Sequence, residues 1–217
     1  VTEIPASVTG LGIPYYKYEA TLTGLSPGVE YFYRVLIDGG ELAPPDDFQF
    51  RTAAPGPFTF LAFGDSGWGS DGQRRLAQFM FRERPALVVH TGDIAYLEGT
   101  FEQFRNNHFA IYSPLMRRVP FFPSPGNHEY DSPNALPYVM LHANPTDGVP
   151  AADHQRYYSF DWGDVHFTAV DVNTPFHEAL AGRGEMIRWL DNDLRRSQKL
   201  WRVVYFHHPV RPTSNHE

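Results

Sequence analysis

Ala86–Tyr96, which reads ALVVHTGDIAY, is the stretch that decides the fold of this 217-residue chain. The apolar run ALVV is long enough for a buried strand and too short for a helix, and the chain then turns through Thr91 and Gly92 into Asp93. The same design recurs three more times, as FTFLAFGDSG at 58–67, VPFFPSPGNHEY at 119–130 and WRVVYFHHP at 201–209. In open α/β sheets the working crevice lies beyond the carboxyl ends of the strands, so four such strings converge on one edge of the sheet. Gly64, Gly92 and Gly126 each stand just before the polar residue, where a sharp turn brings backbone close to a ligand. One Gly-Asp pair at a strand end is usually only a turn. Four polar strings in this arrangement form a constellation.

Outward from those strings the sequence is of layered α/β type. Residues 71–84 have the spacing of a helix that uses Leu76, Phe79 and Met80, and a second helical region covers about 101–116. Tyr157–Phe160 and Val165–Val170 read as a hairpin around DWGD. Met186, Ile187, Leu190 and Leu194 recur at helical spacing, with Glu185 early and Arg195 and Arg196 late, as the helix dipole prefers. Before Phe58 the pattern is different: YYKYEATL, VEYFYRVLI and DFQFRT alternate as three strands, separated by LSPG and DGGELAPPD. Leu25–Val35 resembles the turn and strand of a fibronectin type III module. Residues 1–55 are therefore expected to be a partial all-β module of that kind, joined by Ala53–Pro57 (AAPGP) to a domain over 56–217.

Composition narrows the chemistry. A formal charge of −7 and a pI near 5.8, with no basic stripe, exclude a nucleic-acid scaffold. With 42% hydrophobic residues the chain can bury a core, yet no apolar run approaches the ~20 residues that span a bilayer. Cysteine is absent, which removes thiolate metal sites and cysteine nucleophiles. A metal must then be held by oxygen and imidazole. Asp65 and Asp93 offer anionic oxygens, Asn127 a neutral carbonyl oxygen and His207 an imidazole, a set suited to divalent or ferric first-row metals. Two cations ~3.5–4 Å apart are held economically by one bridging carboxylate, and Asp93, central among the strings, is the candidate. Tyr96 would be an odd ligand for zinc or magnesium and a good one for ferric iron; the alternative is an aromatic ring packed on the loop.

The ordered strings GDSG, GDIAY, GNHE and FHHP resemble those of the purple acid phosphatase family within the calcineurin-like metallophosphoesterases, from Phe58 to the last residue. The resemblance implies a sandwich of mixed β-sheets flanked by helices, and a dinuclear centre of Fe(III) plus a divalent ion (Zn, Fe or Mn). It would place Asp65 and Tyr96 on the ferric ion, Asp93 between the two metals, and Asn127 with His207 on the divalent ion. His128 would touch the substrate phosphate and assist proton transfer, and His216 would be a second substrate-facing histidine. Extended backbone would send His207 and His208 to opposite sides, and the family pattern selects His207 as ligand. His90 is expected to support the site from behind it; His108, His142, His154, His166 and His177 read as structural or surface residues. Trp68 lines the pocket or packs in the core.

One departure stands out. The family closes its site with a GHxH string, which this sequence lacks. The expectation is a fragment of a longer protein, poorly active alone, with a short variant bearing a degraded site as the alternative. For the parent the expectation is hydrolysis of small phosphate monoesters by metal-bound hydroxide, in a secreted or periplasmic setting. Its rivals are a phosphodiesterase on the same scaffold and a binding module with a relict site.

Overall fold

A computed structural model describes residues 2–13, 15–42, 48–173 and 184–209. Six short strands come first: β1 (Ser7–Gly10) pairs with β2 (Tyr16–Glu19), β3 (Glu30–Phe32) with β6 (Gln49–Arg51), and β4 (Leu36–Ile37) with β5 (Gly40–Glu41), all antiparallel. The run VEYFYRVLI was expected to be one strand and is instead divided between β3 and β4. The reason for the β4–β5 hairpin is its turn. Asp38 and Gly39 both take positive φ, 49° and 77°, the backbone a tight two-residue turn requires, so DGG closes a hairpin as well as ending a strand.

Among the described residues from Phe60 onward, two three-stranded sheets face each other. In the first, β7 (Phe60–Phe63), β8 (Leu87–His90) and β9 (Phe121–Pro123) run parallel with β8 at the centre. In the second, β10 (Tyr158–Trp162) and β11 (Val165–Ala169) form the expected hairpin, and β12 (Trp201–Tyr205) adds parallel to β11. Strand alternation distributes the core. Leu87 and Val89 meet Tyr158, Phe167, Ala169 and Tyr205 between the sheets, while Val88 points the other way, toward Ala77, Met80, Ile111 and Leu115. Phe167 sits in the middle of the inter-sheet layer, edge-on to Phe60 at 5.2 Å and stacked on Phe160 at 5.1 Å.

Helices cover the outer faces. On the first sheet lie α1 (Asp71–Glu83) and a helical run made of α2 (Phe101–Gln103), a π turn (Phe104–Phe109) and α3 (Ala110–Met116). The inward face of α1 differs from the expected one. Met80 is buried, but Leu76 and Phe79 are 43% and 60% exposed, and Gln73 and Ala77 are buried in their place. Gln73 can be buried because its amide is satisfied: Nε2 donates to Asn107 O at 2.6 Å and Oε1 accepts from Gly69 N at 2.7 Å. After two short helices, α4 (Asn127–Tyr130) and α5 (Leu136–Leu141), the helix α6 (Glu185–Arg196) packs Met186, Ile187 and Leu190 against the second sheet, as its spacing implied. His166 pins that helix, with Nδ1 2.7 Å from Asp161 and Nε2 2.9 Å from Asp193.

Candidate metal centre

All four polar strings meet, but not on one edge of a single sheet as expected: three leave the carboxyl ends of β7, β8 and β9 in the first sheet, and the fourth leaves β12 in the second. Close approach of the loops depends on the glycines, though for a reason the sequence reading did not anticipate. A Cβ on Gly64 would lie 2.3 Å from Thr91 Oγ1, and one on Gly126 would lie 2.3 Å from both the backbone nitrogen and Oδ1 of Asp93. The missing side chains make room for neighbouring loops rather than for a ligand. Asp65 and Asp93 themselves sit at φ 53° and 54°, a left-handed conformation sparsely used by residues other than glycine and found disproportionately at functional sites.

Asp93 is the centre of the arrangement. The Tyr96 hydroxyl donates to Asp93 Oδ2 at 2.8 Å and reaches Asp65 Oδ1 at 3.2 Å. His128 N donates to Asp93 Oδ1 at 3.1 Å, and His207 Nε2 lies 3.3 Å from the same oxygen and 3.1 Å from Asn127 Oδ1. One ligand atom each from Asp65, Asp93 and His207 fall within 4.8 Å of one another. Thus Asp65, Asp93, Tyr96, Asn127 and His207 are brought together; His216 and His177 lie outside the described residues.

Electrostatics follow from the crowding. Burial by itself would raise the pKa of Asp93, but the hydrogen bond and charge of His207, the His128 amide and the Tyr96 hydroxyl hold it below the ordinary value. His207 is shifted up: burial opposes its charge, and the bond to Asp93 overrides burial. Tyr96 is raised by burial and then by Asp93, so without a cation its phenol keeps its proton.

The donor set passes a test for a cation. His207 Nδ1 lies 2.8 Å from Thr91 O, a pure acceptor, so Nδ1 carries the hydrogen. Its Nε2 faces two oxygens, Asn127 Oδ1 and Asp93 Oδ1, and even protonated has one hydrogen for the two of them. Across the cleft one phenolic proton serves two carboxylates. Acceptors outnumber protons here, and metal ions resolve such a surplus.

His207 is singled out by this geometry and not by strand alternation. β12 ends at Tyr205, and the two imidazoles then lie 4.9 Å apart with His208 Nδ1 buried and unpartnered. His90 lies behind the site, as expected. Gly92 N donates to its Nδ1 at 3.2 Å, which leaves Nε2–H for Ser66 Oγ at 2.9 Å, and complete burial pushes its pKa down to about 3. Trp68 is not in the core: it is 59% exposed and stacks on Tyr96.

Two supporting residues were missed in the sequence. Glu129 is fully buried, and its carboxylate accepts from Gly126 N at 2.7 Å, Ile94 N at 2.8 Å, Asp93 N at 3.0 Å and Ala95 N at 3.2 Å. It ties the loop carrying Asp93 and Tyr96 to the loop carrying Asn127 and His128. Its signal was visible, an acid within the GNHE string. Asp171, buried at the end of β11, accepts from the Tyr130 hydroxyl and from Asn173, whose side chain also reaches Pro125 O at 3.3 Å. TAVDVN has the same strand-into-acid form as the four strings and could have been read as a fifth.

Two parallel-strand loops presenting carboxylates, a third presenting an amide and a fourth presenting an imidazole define a metallophosphoesterase-type site on a layered α/β scaffold. The chain belongs to the calcineurin-like phosphoesterase family, whose model matches residues 58–217. Within it the chain is purple acid phosphatase-like. It is 26% identical to the protein named probable inactive purple acid phosphatase 9 of Arabidopsis thaliana, over 96% of this chain and 38% of that one. It is also 26% identical to human acid phosphatase type 7, over 90% of this chain and 45% of the relative. Its fold matches that of a purple acid phosphatase from yellow lupin seeds with a TM-score of 0.74 at 18% identity, across 94% of this chain and 43% of that one. The chain therefore spans less than half the length of these relatives. No helix among the described residues is long and apolar enough to cross a membrane.

Proposed function

We propose that this chain carries the larger part of a dinuclear metal centre that hydrolyses phosphate monoesters. The observation that carries the reading is the Asp93 carboxylate, met at hydrogen-bond distance by Tyr96 and His128 and at 3.3 Å by His207. Asp65, Asp93 and Tyr96 would hold a ferric ion, and Asp93, Asn127 and His207 a divalent ion (Zn, Fe or Mn). When bound, such a pair lowers the pKa of water and neutralises phosphate charge. The residues do the rest. His128 Nδ1 is 2.6 Å from Leu97 O and so keeps its hydrogen, which leaves Nε2 as the atom where a proton can be held for the leaving oxygen. Glu129 fixes the two loops so that these groups need not reorganise during the reaction.

His216 is proposed as a second group facing the phosphate. The first 55 residues are proposed as a partial fibronectin type III-like module ahead of the phosphoesterase domain at 56–217, and secretion or periplasmic placement follows from the same likeness. Metal analysis of the full-length protein tests the centre. Two metals per chain with a tyrosinate-to-iron absorption that disappears in Tyr96→Phe are expected, together with loss of monoester turnover in Asp93→Asn. Absence of bound metal would sink the reading. A second reading, a binding module with a relict site, draws on the word "inactive" in the names of several relatives, and metal binding without turnover of mono- or diesters would favour it.

A further inference from the structure

Trp68 is the largest exposed side chain beside the site, and its presentation is constrained from both sides. A Cβ on Gly67 would fall 2.2 Å from Ile94 O, and one on Gly69, at φ 68°, would fall 2.7 Å from Asn107 Oδ1. Backbone thus closes position 67 to any side chain, and at position 69 a side chain would be strained by the positive φ and would have to displace the Asn107 amide. The turn is also tied down by hydrogen bonds. Tyr96 N donates to Gly67 O at 3.0 Å, Gly69 N donates to Gln73 Oε1 at 2.7 Å, and Asn107 Nδ2 donates to Tyr96 O at 3.2 Å. The indole itself is stacked on the Tyr96 ring, with centroids 4.6 Å apart and planes 22° from parallel. With one side on Tyr96 and 59% of its surface exposed, the indole offers a fixed aromatic surface to the solvent above the site.

The Tyr96 ring is in turn 4.6 Å from the His128 ring, and its hydroxyl bonds both carboxylates. The indole therefore lies one ring away from the groups proposed to act on the phosphate. Leaving so much of a large aromatic surface in water gives up a burial term that a core position would have gained. A rigid turn that nevertheless holds it beside the candidate metal ligands is the arrangement of a binding platform.

We propose that Trp68 is a specificity residue, stacking the organic part of the substrate so that the site prefers aromatic phosphate monoesters over alkyl ones. This rests on the phosphomonoesterase reading above. It adds the class of alcohol from which the phosphate is removed.

The test compares phenylphosphonate with methylphosphonate, which cannot be hydrolysed, by calorimetry on the metal-loaded full-length protein. It adds kcat/KM for phenyl phosphate and for ethyl phosphate. Wild type is expected to bind the phenyl compound more tightly. Trp68→Ala should weaken phenyl binding roughly fivefold to tenfold, the scale of one aromatic stacking contact, while methyl binding changes by less than about twofold. Trp68→Phe should recover most of the difference, and the loss should fall on KM more than on kcat. If Trp68→Ala weakens both phosphonates equally, or lowers kcat for both esters alike, the indole only props Tyr96 and the proposal is overturned. If Trp68→Leu, which keeps apolar bulk, retains the full phenyl preference, stacking is likewise excluded. Failure of wild type to bind either phosphonate would overturn the phosphoesterase reading and this proposal together, so the two failures are distinguishable.

Discussion

The strands before Phe58 and the two sheets after it are built from similar residues and reach opposite ends of the burial scale. In β8 every side chain is buried, whereas β1 is exposed along its whole length and Phe32 of β3 is 69% exposed. Both regions are rich in aromatics and β-branched residues. What differs is a second layer: the later sheets cover each other and are covered by helices, and the early strands, in two-stranded pairs, have little beyond Tyr31, Tyr33, Phe48 and Phe50 packed on one another. They rest on the later part of the chain through a few contacts, among them Tyr33 Oη to Arg117 O at 3.1 Å, the Arg117 guanidinium over Phe48, and Lys17 Nζ to His142 O at 3.0 Å. β-Propensity makes a strand, but only a facing layer makes it a core.

That contrast can be broken most severely at Phe167. Phe167→Ala is expected to destabilise the two-sheet domain by about 3–5 kcal/mol, read by denaturant unfolding, because the rings around it cannot collapse into the space. Next comes the clamp between the site loops. Glu129→Gln should cost about 2–3 kcal/mol, since an amide cannot accept from four buried N–H groups as a carboxylate does, and should weaken metal affinity roughly 10- to 100-fold, measured by competition with a chelator. A loss of stability with unchanged metal affinity would show that the clamp serves the fold alone.

A smaller effect is expected at His166 and should depend on pH. Burial works against its charge, but Asp161 on β10 and Asp193 on α6 outweigh burial, so its pKa is raised in the folded protein. A raised folded pKa contributes stability that is fully present below the unfolded value of ~6.5 and is lost as pH rises through the folded value. The stability difference between wild type and His166→Gln should therefore be about 1–2 kcal/mol in mild acid and shrink in alkali, as urea unfolding across pH would reveal. Lys199, 3.7 Å from Asp161, shares that carboxylate and moderates the effect. The smallest effect is expected back in the first region, where Phe32→Ala should change the unfolding free energy of the two-sheet part by less than about 0.5 kcal/mol.

Legibility differed between fold and site in the same way. β8, the β10–β11 hairpin and α6 were readable because each pattern reflects burial on one side or both, and burial is a local pressure on sequence. The inward face of α1 was misread because Gln73 is buried by bonds to Gly69 and Asn107, partners from other segments that no helical period encodes. Likewise β4 and β5 were hidden by a turn that reads as a strand break.

Asp65, Asp93, Tyr96 and Asn127 could be gathered from the chain alone because each follows an apolar strand, and parallel strands in one sheet deliver their ends to the same edge; His207 ends β12 of the facing sheet, and only the packing of the two sheets brings it to that edge. Sequence also excluded thiolate chemistry outright. Which imidazole nitrogen faces Asp93, that Glu129 rather than a metal ligand holds the loops together, and that Trp68 lies on Tyr96 instead of in the core were settled only by tertiary contacts. Each depends on atoms from segments 28 to 116 residues apart in the chain meeting within hydrogen-bond or stacking distance. Linear order fixes which groups arrive at the site; packing fixes how they face one another.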